Sequence, residues 1–235
     1  MFYNNSGEGL ITSRKAGILT GRNFAKALFS VIFAILMCVS ANSFFYLPFS
    51  PVPVTMQVFT VLLSAVLLGR RWAAAAQIQY IIMGIAGLPV FAGFKNAAAA
   101  FSGPTAGYIA GFAAGAFAAG FIFDKYRETA TAKGCAHFKV YPASKSETSL
   151  KKQIFNIAGP TALFFACMAG LAVIYSCGYI YLMGYLYLAG SSAGTIAGLA
   201  LQAFKLGIAP FIISDMVKIA IILNIFHLKG DYEKN

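Results

Sequence analysis

Asp215 and Lys218 stand three residues apart in Ile212-Ile213-Ser214-Asp215-Met216-Val217-Lys218-Ile219, a stretch that is otherwise mostly apolar. At positions i and i+3 of a helix the two side chains share a face, with Cβ atoms about 5 to 6 Å apart. A carboxylate in such a run costs at least about 2.5 kcal/mol on insertion scales unless it is satisfied. Asp215 is the only carboxylate in any apolar run of the chain. The pair has two readings: a neutralised couple that fixes packing, or the polar end of a binding pocket. Ionisable groups at such depth usually mark a substrate or ion path, which favours the second. Other chemistry is missing from the sequence. It has no GxxxxGK[ST] phosphate loop, no GxGxxG after a strand, no HExxH, and no second carboxylate within an apolar run to relay protons with Asp215. His137 and His227 stand far apart, and the four cysteines show no CxxC spacing, so neither metal nor cofactor is expected. These absences point to solute binding, not catalysis.

The elements that must position Asp215 and Lys218 follow from composition. Of 235 residues, 59% are hydrophobic and 11% are charged, against about 25% charged in soluble domains. So few charges cannot cover that much apolar surface in water, which excludes a soluble enzyme and a disordered chain. The expected class is an all-α integral membrane protein of the plasma membrane, forming a single membrane domain over residues 1–235. Apolar runs cover Phe24 to Phe45, Val54 to Gly69, Trp72 to Phe91, Phe101 to Phe123 and Ile208 to Leu228. Between Gln153 and Phe204 no charge occurs, room for two crossings by length, although Gly190-Ser191-Ser192-Ala193-Gly194 interrupts the run.

The net charge of +11 is read as topology and not as affinity for nucleic acid, because cytoplasmic loops collect Lys and Arg. With one crossing in the uncharged stretch there are six transmembrane helices. Fifteen of the 18 basic residues then fall on one side, in the segment 1–23, at Lys26, at Arg70-Arg71, in the basic loop 124–152 and after Leu228; only Lys95 and Lys205 fall on the other. That bias places both termini and the loop in the cytoplasm. A seventh span moves only Lys229 and Lys234, so charge alone leaves that count open.

The outer side gathers the helix breakers Pro48 to Pro53, Gly87-Leu88-Pro89, Ser102-Gly103-Pro104 and Ala209-Pro210. Irregular backbone near membrane depth is tolerated where it lines a cavity, and four such breaks on one side suggest a pocket mouth. Gly103, Gly107, Gly111 and Gly115, continued by Ala119, make one stripe of the fourth span nearly free of side chains, which suits close helix packing. A weaker row, Ser30, Ala34 and Cys38, runs along the first span and is expected to meet a partner helix.

Four blocks together carry a resemblance: Pro51-Val52-Pro53-Val54-Thr55-Met56-Gln57, Gly87-Leu88-Pro89-Val90-Phe91-Ala92-Gly93, Gly103-Pro104-Thr105-Ala106-Gly107-Tyr108, and Pro210 followed by Asp215-Met216-Val217-Lys218. In combination, collinear from about Phe24 to Leu228, the chain resembles the biotin-specific substrate-binding (S) subunits, the BioY family, of energy-coupling factor (ECF) transporters. The resemblance implies six helices, biotin taken from outside, and docking on an ECF transmembrane subunit that carries two ATPase subunits. It implies no catalytic activity. The chain departs from the family pattern at Phe94-Lys95-Asn96-Ala97 and at Ala106. Biotin offers a ureido group with two N–H donors, a carboxylate and an apolar ring. Asp215 is expected to accept from the ureido group, with Lys218 or Lys95 meeting the carboxylate. Tyr80, Phe91 and Tyr108 are expected to flank the rings, with Gln57 and Asn96 completing the site. The same frame around another small vitamin, and a membrane-embedded enzyme acting on lipid with Asp215 as general base, are the alternatives.

Overall fold

The structure, a computed structural model, describes residues 8–132, 150–190 and 195–232, with side chains over 23–129, 159–190 and 195–226. The described residues form eight helices and one two-stranded ribbon. Helix α1 spans Glu8–Asn42, so most of the polar N-terminal segment continues the first apolar run as helix. It stops ahead of the proline-rich segment, where Pro48, Pro51 and Pro53 lack the N–H that a helix needs. This loop is closed at its base by strands β1 (Phe44–Phe45) and β2 (Val54–Thr55), antiparallel, with Phe44 opposite Thr55.

Helices α2 (Gln57–Leu68) and α3 (Arg70–Ile85) are separated by one residue, Gly69, at φ +80°. A side chain there would be strained, and its Cβ would lie 3.0 Å from both carboxylate oxygens of Asp124. That carboxylate accepts from the Arg70 backbone N–H at 3.0 Å, satisfying an otherwise open donor at the start of α3. The third apolar run extends to Phe91, but α3 ends at Ile85, just ahead of the Gly87-Leu88-Pro89 break. Gly87 at φ +95° and Pro89 turn residues 86–96 into a loop, and the short α4 (Ala97–Phe101) follows.

Helices α5 (Ala106–Ala132) and α6 (Leu150–Leu188) form the most extensive interface. The glycine stripe explains why. A Cβ on Gly107 would strike Tyr181, one on Gly111 would lie 2.9 Å from Cys177, and one on Gly115 2.8 Å from the Gly170 carbonyl. Gly103, at the top of the row, meets only carbonyls of α4 at 3.6 Å and takes no part. The ends of the basic loop 124–152 are helical, as the last turns of α5 and the first of α6, and its centre, 133–149, lies outside the described residues.

Helix α6 runs unbroken through 39 residues and ends just before Gly190, at φ +70°. The following α7 (Ile196–Gly207) has 12 residues, about 18 Å. It meets α8 (Ala209–Tyr232) at a break around Ile208. The carbonyls freed there are satisfied by side chains: Ser50 donates to the Leu206 oxygen and Tyr108 to the Gly207 oxygen, both at 2.7 Å. Among the described residues four segments are long and apolar enough to cross a membrane: Asn23–Asn42, Ala106–Thr129, Gly159–Leu188 and Ile196–Phe226. The chain is therefore an all-helical, multi-pass integral membrane protein. Leu28, Val31, Ile32, Ile35 and Val39 leave the outer face of α1 exposed and apolar, as contact with lipid requires.

Candidate ligand-binding site

A cavity opens where the proline loop, the loop after α3 and helices α5, α6 and α8 converge. Counted out to its open mouth, and with the solvent space there included, it spans about 820 Å3. Its walls are mostly apolar and aromatic. Tyr80 and Phe91 meet edge to face with ring centroids 5.1 Å apart, and Phe91 meets Phe101 at 5.8 Å. Gly84 makes the first contact possible, because any Cβ there would overlap the Phe91 ring. Tyr108 is seated by Gly178 and Gly207 in the same way. Phe112 and Phe211 complete the apolar lining.

Polar groups enter in two places. Near the mouth, the hairpin-like turn Phe91 to Lys95 is closed by paired backbone hydrogen bonds of 3.0 and 3.2 Å. It is tied to the end of α1, where Asn42 Oδ1 accepts from the Phe94 N–H at 3.0 Å. This turn presents Lys95 to the cavity, exposed and with its ammonium free of any hydrogen-bond or ion-pair partner among the described residues. Deeper, Asp215 and Lys218 are 2% and 5% exposed and bonded to each other at 2.6 Å. The second Asp215 oxygen accepts from the Tyr175 hydroxyl at 2.6 Å, and Lys218 Nζ donates to the Thr55 carbonyl at 2.7 Å. Tyr175 and Thr55 line the cavity; Asp215 and Lys218 stand behind them. Buried behind the wall, with each oxygen already accepting one hydrogen bond, Asp215 lacks the open approach of a general base.

The structure brings Lys95, Tyr80, Phe91, Tyr108 and Gln57 to the cavity wall. Gln57 donates to the Tyr80 hydroxyl at 2.9 Å and accepts from Thr55 at 3.2 Å, so its amide orients two lining residues. Asn96 is not brought there. Its Oδ1 accepts from the Ala99 N–H at 3.1 Å and caps α4, a use that the alanine run after it signals. Tyr175, Thr55, Tyr46, Phe112 and Phe211 were not anticipated. The expected partner row on α1 needs correction. Ser30 and Ala34 are 0% and 1% exposed, Ser30 is hydrogen-bonded to Gln79 of α3, and Cys38 packs on the core. A row already packed within the chain cannot also be the surface offered to a second protein.

Fold and cavity define a multi-pass membrane protein built around a small-molecule site. The BioY family model matches residues 13–229, and the chain belongs to the BioY family. It is 46% identical over 94 residues to the "Biotin transporter BioY" of Thermotoga maritima, an alignment covering 40% of this chain and 54% of that protein. That match thus spans about half of the relative's length. The "Probable biotin transporter BioY" of Pyrococcus horikoshii is 30% identical over 170 residues, 72% of this chain and 75% of that protein. Among solved structures, the crystal structure of the S-component for biotin from an ECF-type ABC transporter superposes with a TM-score of 0.63 at 17% identity, covering 92% of this chain and 94% of that one. At that identity the likeness is one of fold.

Proposed function

We propose that this chain binds biotin from the outer face of the plasma membrane and is the substrate-specific, non-catalytic subunit of an ATP-driven ECF-type vitamin uptake transporter. The observation that carries the reading is a cavity with an apolar aromatic middle and two polar ends of different chemistry, in a member of the BioY family. Biotin has the same order of parts. Its ring system suits the wall of Tyr80, Phe91, Tyr108 and Phe112. The ureido group suits the inner end, where Asp215 and Lys218 back Tyr175 and Thr55. Of the two lysines, Lys95 suits the carboxylate, since it lines the cavity, whereas Lys218 stands behind the wall with two of its three donors on Asp215 and the Thr55 carbonyl.

The reading includes six crossings, by α1, α2, α3, α5, α6 and the α7–α8 pair, with both termini and the loop 124–152 cytoplasmic. The continuity of α6 and the distribution of Lys and Arg support that count. It also includes an ECF transmembrane subunit and two ATPase subunits as partners, because the sequence carries no phosphate loop with which to drive uphill transport. Calorimetry of the purified chain in nanodiscs, without nucleotide, tests the ligand. Heat with biotin and none with thiamin or riboflavin is expected; binding of another vitamin and not biotin overturns the assignment.

A further inference from the structure

The buried ion pair is linked to the cavity wall through two other residues. Asp215 Oδ1 is taken by Lys218 and Oδ2 by the Tyr175 hydroxyl, each at 2.6 Å. Lys218 Nζ is turned onto the Thr55 carbonyl at 2.7 Å. Neither charged residue lines the cavity, whereas Tyr175 and Thr55 do. A phenol that donates its proton to a carboxylate is polarised, so its oxygen becomes a stronger acceptor for a third group. Among the described residues, half-buried Tyr175 is the one that both holds Asp215 and stands in the wall.

We infer that Tyr175 is the specificity-determining residue at the inner end of the site: its hydroxyl oxygen accepts an N–H of the cyclic urea, and Asp215 acts through it as a positioning residue. This rests on the proposed binding of biotin. A ligand with an N–H donor completes the chain N–H to Tyr175 to Asp215. A ligand with an alkylated nitrogen leaves the polarised oxygen buried and unmatched, which is the costly outcome.

Calorimetry on the full chain, with biotin and an analogue methylated on both ureido nitrogens, tests this. Tyr175→Phe keeps the ring and removes the hydroxyl. It is expected to weaken biotin binding about 10-fold or more and to shrink the ratio between biotin and the methylated analogue by a similar factor. The melting temperature should fall as well, because Asp215 loses one of its two partners. In a double-mutant cycle, Asp215→Asn is expected to add little once Tyr175→Phe is present. Biotin binding by Tyr175→Phe that equals wild type, an unchanged ratio, or losses that multiply across the cycle each overturn the inference while biotin binding itself stands. If wild type binds no biotin, the functional reading falls, and this inference with it. Should Asp215→Asn fail to fold, the ratio measured on Tyr175→Phe decides alone.

Discussion

Lys95 and Lys218 carry the same charge beside the same cavity but have opposite burdens. Lys95 is exposed and its side chain has no partner among the described residues, so Lys95→Ala should leave the melting temperature nearly unchanged. It should weaken biotin binding only a few-fold, about 1 kcal/mol, and abolish the preference for biotin over its methyl ester. A preserved preference assigns the carboxylate elsewhere. Lys218→Met should behave differently. It strands the Asp215 carboxylate in the core with only Tyr175, and breaking a buried pair on one side typically costs about 3 to 5 kcal/mol. A melting temperature equal to wild type contradicts that account. Asp215 and Lys218 were legible in the sequence because charge in an apolar run is rare. Tyr175 was not. Tyr175, Tyr179, Tyr181, Tyr185 and Tyr187 look alike in an uncharged stretch, and only the rotation of α6 decides which of them faces Asp215.

That rotation is fixed at the scale of helices, by the seat that Gly107, Gly111 and Gly115 give to α6. Gly111→Leu should therefore separate α5 from α6, at a cost of several kcal/mol if it folds at all, because the added atoms meet Cys177 and the Ile174 backbone within 3.3 Å. Gly103→Ala tests the end of the stripe. Its Cβ meets nothing closer than 3.6 Å, so thermal stability should stay within about 0.5 kcal/mol of wild type. A large loss there shows that the packed row extends further than the structure places it. The stripe was readable as tight packing because small residues at every fourth position leave a bare face, but spacing does not name the helix that fills it. The same limit explains the row on α1. Ser30, Ala34 and Cys38 have the pattern of a helix contact, and α1 uses it against its own chain. Ala34→Trp should accordingly unfold or destabilise the protein, and so cannot report on partner docking.

For the whole molecule, positive residues predict the orientation and sequence breaks predict the number of crossings. Single cysteines at Lys95 in a cysteine-free background should react with an impermeant maleimide from outside, and those near the C-terminus should not. External labelling of the C-terminus overturns the six-crossing reading. The uncharged stretch after Gln153 left the number of crossings open because apolar length allows one long helix or two short ones; α6 takes 39 residues in one piece. Energy coupling belongs to this scale as well. Reconstituted alone, the chain should bind biotin without accumulating it, and accumulation should appear only with ATP and the energising subunits. Uphill accumulation by the chain alone refutes the dependence.

The unbroken α6 has a further consequence in the membrane itself. Its apolar part, Gly159–Leu188, is 30 residues long, about 45 Å, whereas a bilayer's hydrocarbon is about 30 Å thick. Helix α2, with 12 residues, is far shorter than that slab. Buried inside the bundle, α2 is shielded from the mismatch by protein neighbours. Helix α6, with Phe165 and Ile180 exposed, is not, and must tilt or draw longer acyl chains around itself. Where tilt does not absorb the difference, the lipid ring is thicker along α6 than beside the shorter helices, and the protein should prefer thick regions of a membrane with mixed chain lengths.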